Sequence, residues 1–211
     1  MSTSSTNVPS TTSAPLIPDK ILPNLYLSDI HTARAVLSPN YPAPGRPEIR
    51  YVLSVIDGPD KQPQVSPGHE EDHVLHLISI RDHGNMDLLE VLDEALNFIK
   101  AGLANNDGGV LVHCQKGISR SASVIIAFVM EDMNLDFDTA LRFVRSSRAK
   151  VNPNAGFQRQ LELWQQLEYS LYEADGQQKE EYQIWKANNE EQIRSLGDGW
   201  KKYLSPKEAQ G

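Results

Sequence analysis

The run Gly109-Val110-Leu111-Val112-His113-Cys114-Gln115-Lys116-Gly117-Ile118-Ser119-Arg120-Ser121, followed by the apolar stretch Ala122 to Met130, decides how this chain is read. Gly109 to Val112 is short and apolar, which predicts a buried strand. The apolar stretch beyond the loop predicts a buried helix over 117–131. A tight loop from strand to helix leaves several backbone N–H groups unpaired and aimed inward, and the helix N-terminus adds its dipole. Such a place binds an oxyanion.

Cys114 sits at the mouth of that loop. There it is stabilised as a thiolate, which turns an anion binder into a nucleophile. Arg120 can fork onto two phosphoryl oxygens. The implied chemistry is phosphate-ester hydrolysis through a cysteinyl-phosphate. A cysteine alone reads as a buried structural residue. The strand before it, the helix after it, Gly117 in the loop and Ser121 beside Arg120 favour the catalytic reading. His113 is read as orienting the loop by hydrogen bonds and not as a general base.

Working outward, strands and helices alternate. Leu22–Leu27 reads as a short strand, and Asp29 caps a helix to about Leu37. Proline and glycine make 38–47 a loop; Ile49–Ile56 is a β-branched strand; Asp57–Asp72 is a long acidic loop; Val74–Ile80 is another strand. Asp87 with Glu90 resembles a capping box ahead of Leu88, Val91, Leu92, Ala95, Phe98 and Ile99 at helical spacing. Asp136 caps a helix carrying Leu141, Phe143 and Val144, and Pro153-Asn154 opens one running through Leu171. This pattern predicts an α/β fold, a central mostly parallel sheet flanked by helices on both faces. Ligands then bind beyond the carboxyl ends of the strands. Cys114, Asp82 and Asp57 all fall at such ends.

The chain has 211 residues, enough for one sizeable core with length left at the ends. The formal net charge of -8 argues against a nucleic-acid partner and against unaided membrane binding. One cysteine permits no internal disulfide and no cysteine-rich zinc module, and it suits a reducing compartment, cytoplasm or nucleus. No secretory signal and no apolar run of membrane-spanning length is visible. Residues 1–15 read as a disordered Ser/Thr/Pro-rich tail and 173–211 as a helical, acidic extension in which Tyr182, Trp185, Ile193, Leu196 and Trp200 recur near helical spacing, with breaks near Gly197 and Gly199. That stripe is read as packing on the domain before it.

A thiolate nucleophile needs an acid to protonate the leaving oxygen. From placement alone Asp82 and Asp57 both qualify, and Asp87 is left as a cap. The motifs resemble the dual-specificity phosphatases of the cysteine-dependent protein tyrosine phosphatase superfamily, of the small atypical type. His113 to Ser123 is similar to that family's phosphate-binding loop. Ile80-Arg81-Asp82 with Asp87-Leu88-Leu89 resembles its acid loop and following helix, Leu22 to Leu27 its first strand, and Pro153-Asn154-Ala155-Gly156-Phe157 with Gln160-Leu161 its last core segment. The resemblance spans about 16–172. It implies Cys114 as nucleophile, Asp82 as general acid, Arg120 as phosphate clamp and Ser121 as donor to the sulfur. Gln115, Lys116, Gly117, Ile118, Ser119 and Arg120 would cradle the phosphate, with His113 and Asn154 supporting the loop from behind.

The resemblance further implies a phosphoprotein substrate, no cofactor, no metal, and a monomer or weak dimer. Ser28 stands where the family often has glycine, and the 38–47 and 57–72 loops are long. Lys116 adds a cation that, in relatives acting on inositol lipids, favours very anionic substrates; the plainer reading is an exposed lysine. Two other functions remain at this level. One is a phosphatase for lipid, RNA or glucan phosphates, and the other a phosphopeptide-binding pseudophosphatase, which the presence of both Cys114 and Arg120 disfavours.

Overall fold

The structure, a computed structural model, describes residues 16–41 and 43–195. The expectations for the 1–15 tail, and for Leu196, Trp200 and the breaks at Gly197 and Gly199, lie outside the described residues. In chain order the elements are β1 (Asp19–Leu22), β2 (Leu25–Ser28), α1 (Ile30–Val36), β3 (Ile49–Ile56), β4 (Val74–Ser79), α2 (Leu89–Asn105), β5 (Gly109–His113), α3 (Arg120–Met133), α4 (Phe137–Ser147), α5 (Ala155–Gln166) and α6 (Glu180–Ser195). The sheet order is β1-β2-β5-β3-β4. Only the β1–β2 pair is antiparallel; β2–β5, β5–β3 and β3–β4 are parallel. The mostly parallel α/β sheet read from the sequence is therefore present.

Period-two alternation sorts the strand side chains onto two faces. Leu25, Leu27, Leu53, Val55, Val110 and Val112 enter one large core with α2, α3, α4 and α5. Tyr26, Val52 and Leu111 enter a smaller core with Ala33, Val36 and Leu37 of α1 and its end. Both faces are covered, but unequally. α3 lies inside the larger layer, with every residue from Arg120 to Met130 buried. That explains why its sequence is apolar all round and not striped.

Three expectations change. Leu22–Leu27 is a hairpin, not one strand: β1 and β2 meet at Pro23-Asn24, where Asn24 takes a φ of 59°. The helix after the cysteine begins at Arg120, not at 117, because the loop backbone is committed to other contacts described below. The last core helix ends at Gln166, since Glu168 and Tyr169 adopt φ values of 52° and 59°; Leu171 is buried beyond the helix and not in it. The expected caps hold: Asp29 accepts from the Thr32 N–H, Asp136 from Thr139 and Asn154 from Phe157. Asp87 accepts from the Glu90 N–H at 3.0 Å, the Asp87 half of the expected box.

The connection between the acid loop and α5 is unusually close. A Cβ built on Gly156 would stand 2.0 Å from the Gly84 carbonyl oxygen and 2.3 Å from its Cα. Both obstacles are backbone, so a methyl group must push the loop carrying Asp82 away from α5. Gly156→Ala is expected to cost about 3 kcal/mol, the upper part of the overpacking range, measured by urea unfolding.

Candidate active site

Cys114 follows the last residue of β5 and is 1% exposed. The loop around it is shaped by where its carbonyls go. The Gln115 carbonyl accepts from the Ile30 N–H (3.5 Å), and the Lys116 carbonyl from Arg148 Nη2 (3.2 Å). The Gly117 carbonyl accepts from Arg148 Nε (2.7 Å), and the Ile118 carbonyl from the Asn152 N–H (2.8 Å). Carbonyls pulled outward leave the N–H groups turned inward, the arrangement of an anion nest. The Gly117 N–H donates to Cys114 Sγ at 3.1 Å. Gly117 has a φ of 63°, and a Cβ there would stand 2.4 Å from the Ser28 carbonyl oxygen. Glycine is required on both counts.

The sulfur is poised for ionisation. Burial pushes the thiol up, but the Ser121 hydroxyl and N–H, the Arg120 charge and the Ile118 N–H outweigh it and hold Cys114 below the ordinary cysteine value. Ser121 is 0% exposed; its hydroxyl has no oxygen or nitrogen partner and lies against the sulfur. Arg120 opens α3, is largely buried, donates from Nη1 to the Ile80 carbonyl (3.3 Å) and leaves Nε unpartnered. An unpartnered buried guanidinium N–H beside a nest is suited to an anion. Burial drives the His113 imidazole down to about 4, so it is neutral near neutral pH; its Nε2 lies 2.8 Å from Ser54 Oγ on β3. It ties the loop to the neighbouring strand.

A cleft of about 510 Å³ opens over the loop, lined by Gln115, Arg120 and Asp82, with Asp57, Lys61 and Arg81 on its rim. Asp82 is exposed, and its Oδ1 accepts from Ser119 Oγ (2.6 Å) and Asn154 Nδ2 (2.9 Å). Ser119 Oγ in turn accepts from the Asn154 N–H (3.1 Å), so Asn154 braces loop and acid together. Asp57 lies at the same sheet edge but is engaged by Lys61 (3.1 Å) and Arg81 (3.3 Å). Burial works against its charge, yet those two partners win and hold the carboxyl below the usual range. Such a carboxylate is a poor proton donor. Lys116 is exposed, as in the plainer reading of that residue.

Two supports were not legible in the sequence. Arg148, 8% exposed, carries the Lys116 and Gly117 carbonyls and is itself paired with Asp19 and, at 3.7 Å, with Asp29. Gln160, 0% exposed, accepts from the Leu88 N–H (2.7 Å) and donates to the Met86 carbonyl (2.9 Å), fixing the far end of the acid loop. Gln160 lies in the family-like segment quoted from the sequence, but its hold on the acid loop depends, as that of Arg148 does, on partners far apart in the chain.

The sequence matches the family of dual specificity phosphatase catalytic domains over residues 46–167. It is 32% identical over 178 residues to dual specificity protein phosphatase 22-B of Danio rerio, covering 84% of this chain and 89% of that protein. It is 35% identical over 159 residues to dual specificity protein phosphatase 7 of Homo sapiens, covering 75% of this chain; the chain spans 36% of that longer protein. Among solved structures it is similar to DUSP15, at 30% identity and a TM-score of 0.61, covering 71% of this chain and 88% of the other. No helix among the described residues is long and apolar enough to cross a membrane. The chain belongs to the dual specificity phosphatase family, whose catalytic domain it carries.

Proposed function

We propose that this chain hydrolyses phosphotyrosine and phosphoserine/threonine in proteins through a cysteinyl-phosphate. The observation that carries this reading is the nest of inward N–H groups around a lowered Cys114 thiol, with the unpartnered Arg120 Nε beside it and Asp82 across the cleft. The Cys114 thiolate attacks phosphorus as Arg120 and the loop N–H groups take up charge on the equatorial oxygens. Asp82 delivers its proton to the departing oxygen, so the alcohol or phenol leaves neutral. Asp82 then accepts a proton from water, whose oxygen attacks phosphorus and breaks the S–P bond. The Ser121 hydroxyl steadies the returning thiolate.

The anionic chain and the solvent-facing Lys116 support a protein substrate over an inositol lipid. Within this reading 16–172 is the catalytic domain and 173–211 its extension; the protein acts without metal or nucleic acid, as a monomer or weak dimer, in cytoplasm or nucleus.

The test is Asp82→Asn against a series of leaving groups. Alkyl phosphates, with basic departing oxygens, are expected to lose about 10²–10⁴-fold, and activated aryl phosphates far less. The wild-type rate is expected to rise with pH as Cys114 ionises, on a limb placed below the ordinary thiol range. Asp57→Asn is expected to leave that limb and the leaving-group slope nearly unchanged. Selective loss in Asp57→Asn with none in Asp82→Asn would overturn the acid assignment.

A further inference from the structure

The segment Gly84–Leu88, which follows Asp82, is held from two sides. The catalytic layer holds it through Gln160 and the Gly84–Gly156 contact. The other side is α6, beyond the region that matches the family. Tyr182 donates its hydroxyl to Asp87 Oδ2 at 2.7 Å, and Asn189 Nδ2 donates to the Asn85 carbonyl at 2.9 Å. The remaining Asp87 oxygen accepts from the Glu90 N–H where α2 begins. α6 therefore grips the acid loop on both sides of Met86, a few residues from Asp82, which lines the cleft.

The helix is built for this contact. Tyr182, Trp185, Asn189 and Ile193 follow at i, i+3, i+7 and i+11, one face of a helix. Tyr182 is 0% exposed and stacks on Trp185, with ring centroids 6.1 Å apart and planes 11° from parallel. The rest of α6 is largely polar and exposed. Its start is pinned to the end of α5 by the Tyr172–Gln178 bridge and by Lys179, whose N–H donates to the Leu171 carbonyl and whose Nζ donates to that of Leu167. A helix serving stability alone would put apolar groups on its inner face. Here two of its four inner positions carry polar groups that end on the acid loop.

We propose that α6 is a positioning element for the general acid: Tyr182 and Asn189 fix Asn85–Asp87, and through them the height of Asp82 over the cleft. This rests on Asp82 being the acid. Neither residue touches the reacting atoms; each acts through the loop. Displacing a catalytic group by about 1 Å can cost on the order of 10²-fold. Removal of a single tether, with Gln160 still in place, is expected to cost roughly 10-fold, and only in the step that needs the proton.

The experiment uses the full chain and five proteins: wild type, Tyr182→Phe, Asn189→Ala, Asp82→Asn, and Tyr182→Phe combined with Asp82→Asn. Each is assayed with alkyl and activated aryl phosphates, and each is alkylated at Cys114 across pH. Tyr182→Phe and Asn189→Ala are expected to lose roughly 10-fold on the alkyl phosphate and less than about 2-fold on the aryl one, with the alkylation profile unmoved. In the Asp82→Asn background Tyr182→Phe is expected to add no further loss, because the acid it positions is gone. Equal losses on both substrates, or a full extra loss without Asp82, would make α6 a structural brace only and overturn the proposal while leaving the acid assignment intact. A flat leaving-group response in Asp82→Asn itself would overturn both.

Discussion

Cys114→Ser is expected to lose turnover by at least about 10⁵-fold, the order seen when a nucleophile is removed from a catalytic set, while keeping its fold. The nest, Arg120 and Ser121 combine to ionise a thiol despite its burial. Cysteine thiols near helix N-termini and cations titrate at roughly 3.5–7.5 instead of about 8.5; a serine hydroxyl in the same cradle stays protonated at neutral pH. The packing consequence is small. Serine is close to cysteine in shape, and the Gly117 N–H that donates to sulfur at 3.1 Å can donate to oxygen instead. A thermal midpoint within about 4 °C of wild type is expected for a change near 1 kcal/mol in a chain of this size. Residual turnover within tenfold of wild type would remove Cys114 from the chemistry.

Arg120→Lys is expected to behave almost as a deletion, losing about 10²–10³-fold in kcat/KM, as when one oxyanion donor is removed, together with most of the affinity for vanadate. The guanidinium does two jobs at once. Nη1 is bound to the Ile80 carbonyl at the root of the acid loop, while Nε has no partner and is available to an anion. A lysine is a point charge on a flexible stem and cannot hold both directions. It also carries its charge into a site where Arg120 is only 9% exposed, with fewer donors to satisfy it. Recovery of most activity by lysine would mean that planar, two-point binding is not what the site uses.

Elements whose signals are local were legible in the sequence. β3 occupies Ile49–Ile56 as read, because a β-branched run between a proline-rich loop and Asp57-Gly58 has one reading. The caps at Asp29, Asp136 and Asn154 fall where their side chains reach the third N–H onward. The phosphate-loop motif placed Cys114, Arg120, Ser121 and Gly117 together because they are contiguous, and strand-end logic brought Asp82 to the same edge.

What was not legible depends on distance. The turn at Pro23-Asn24 sits inside a leucine-rich hexamer that reads as one strand, and Asn24 makes it by adopting a left-handed conformation. Arg148 looks like any charged residue closing α4, yet it supports the Lys116 and Gly117 carbonyls through a pair with Asp19, 129 residues away. Tyr182 was read as part of an apolar stripe; that its hydroxyl ends on Asp87, 95 residues earlier, follows only from the fold.

The most direct measurement is rapid chemical quenching of the wild-type enzyme during turnover of a labelled phosphotyrosine peptide, with phosphate mapped on the trapped protein. Phosphate on Cys114, absent from Cys114→Ser and accumulating in Asp82→Asn as water attack slows, is the expected result. Turnover at an undiminished rate with no phosphate on Cys114 at any quench time would contradict the cysteinyl-phosphate on which the account rests.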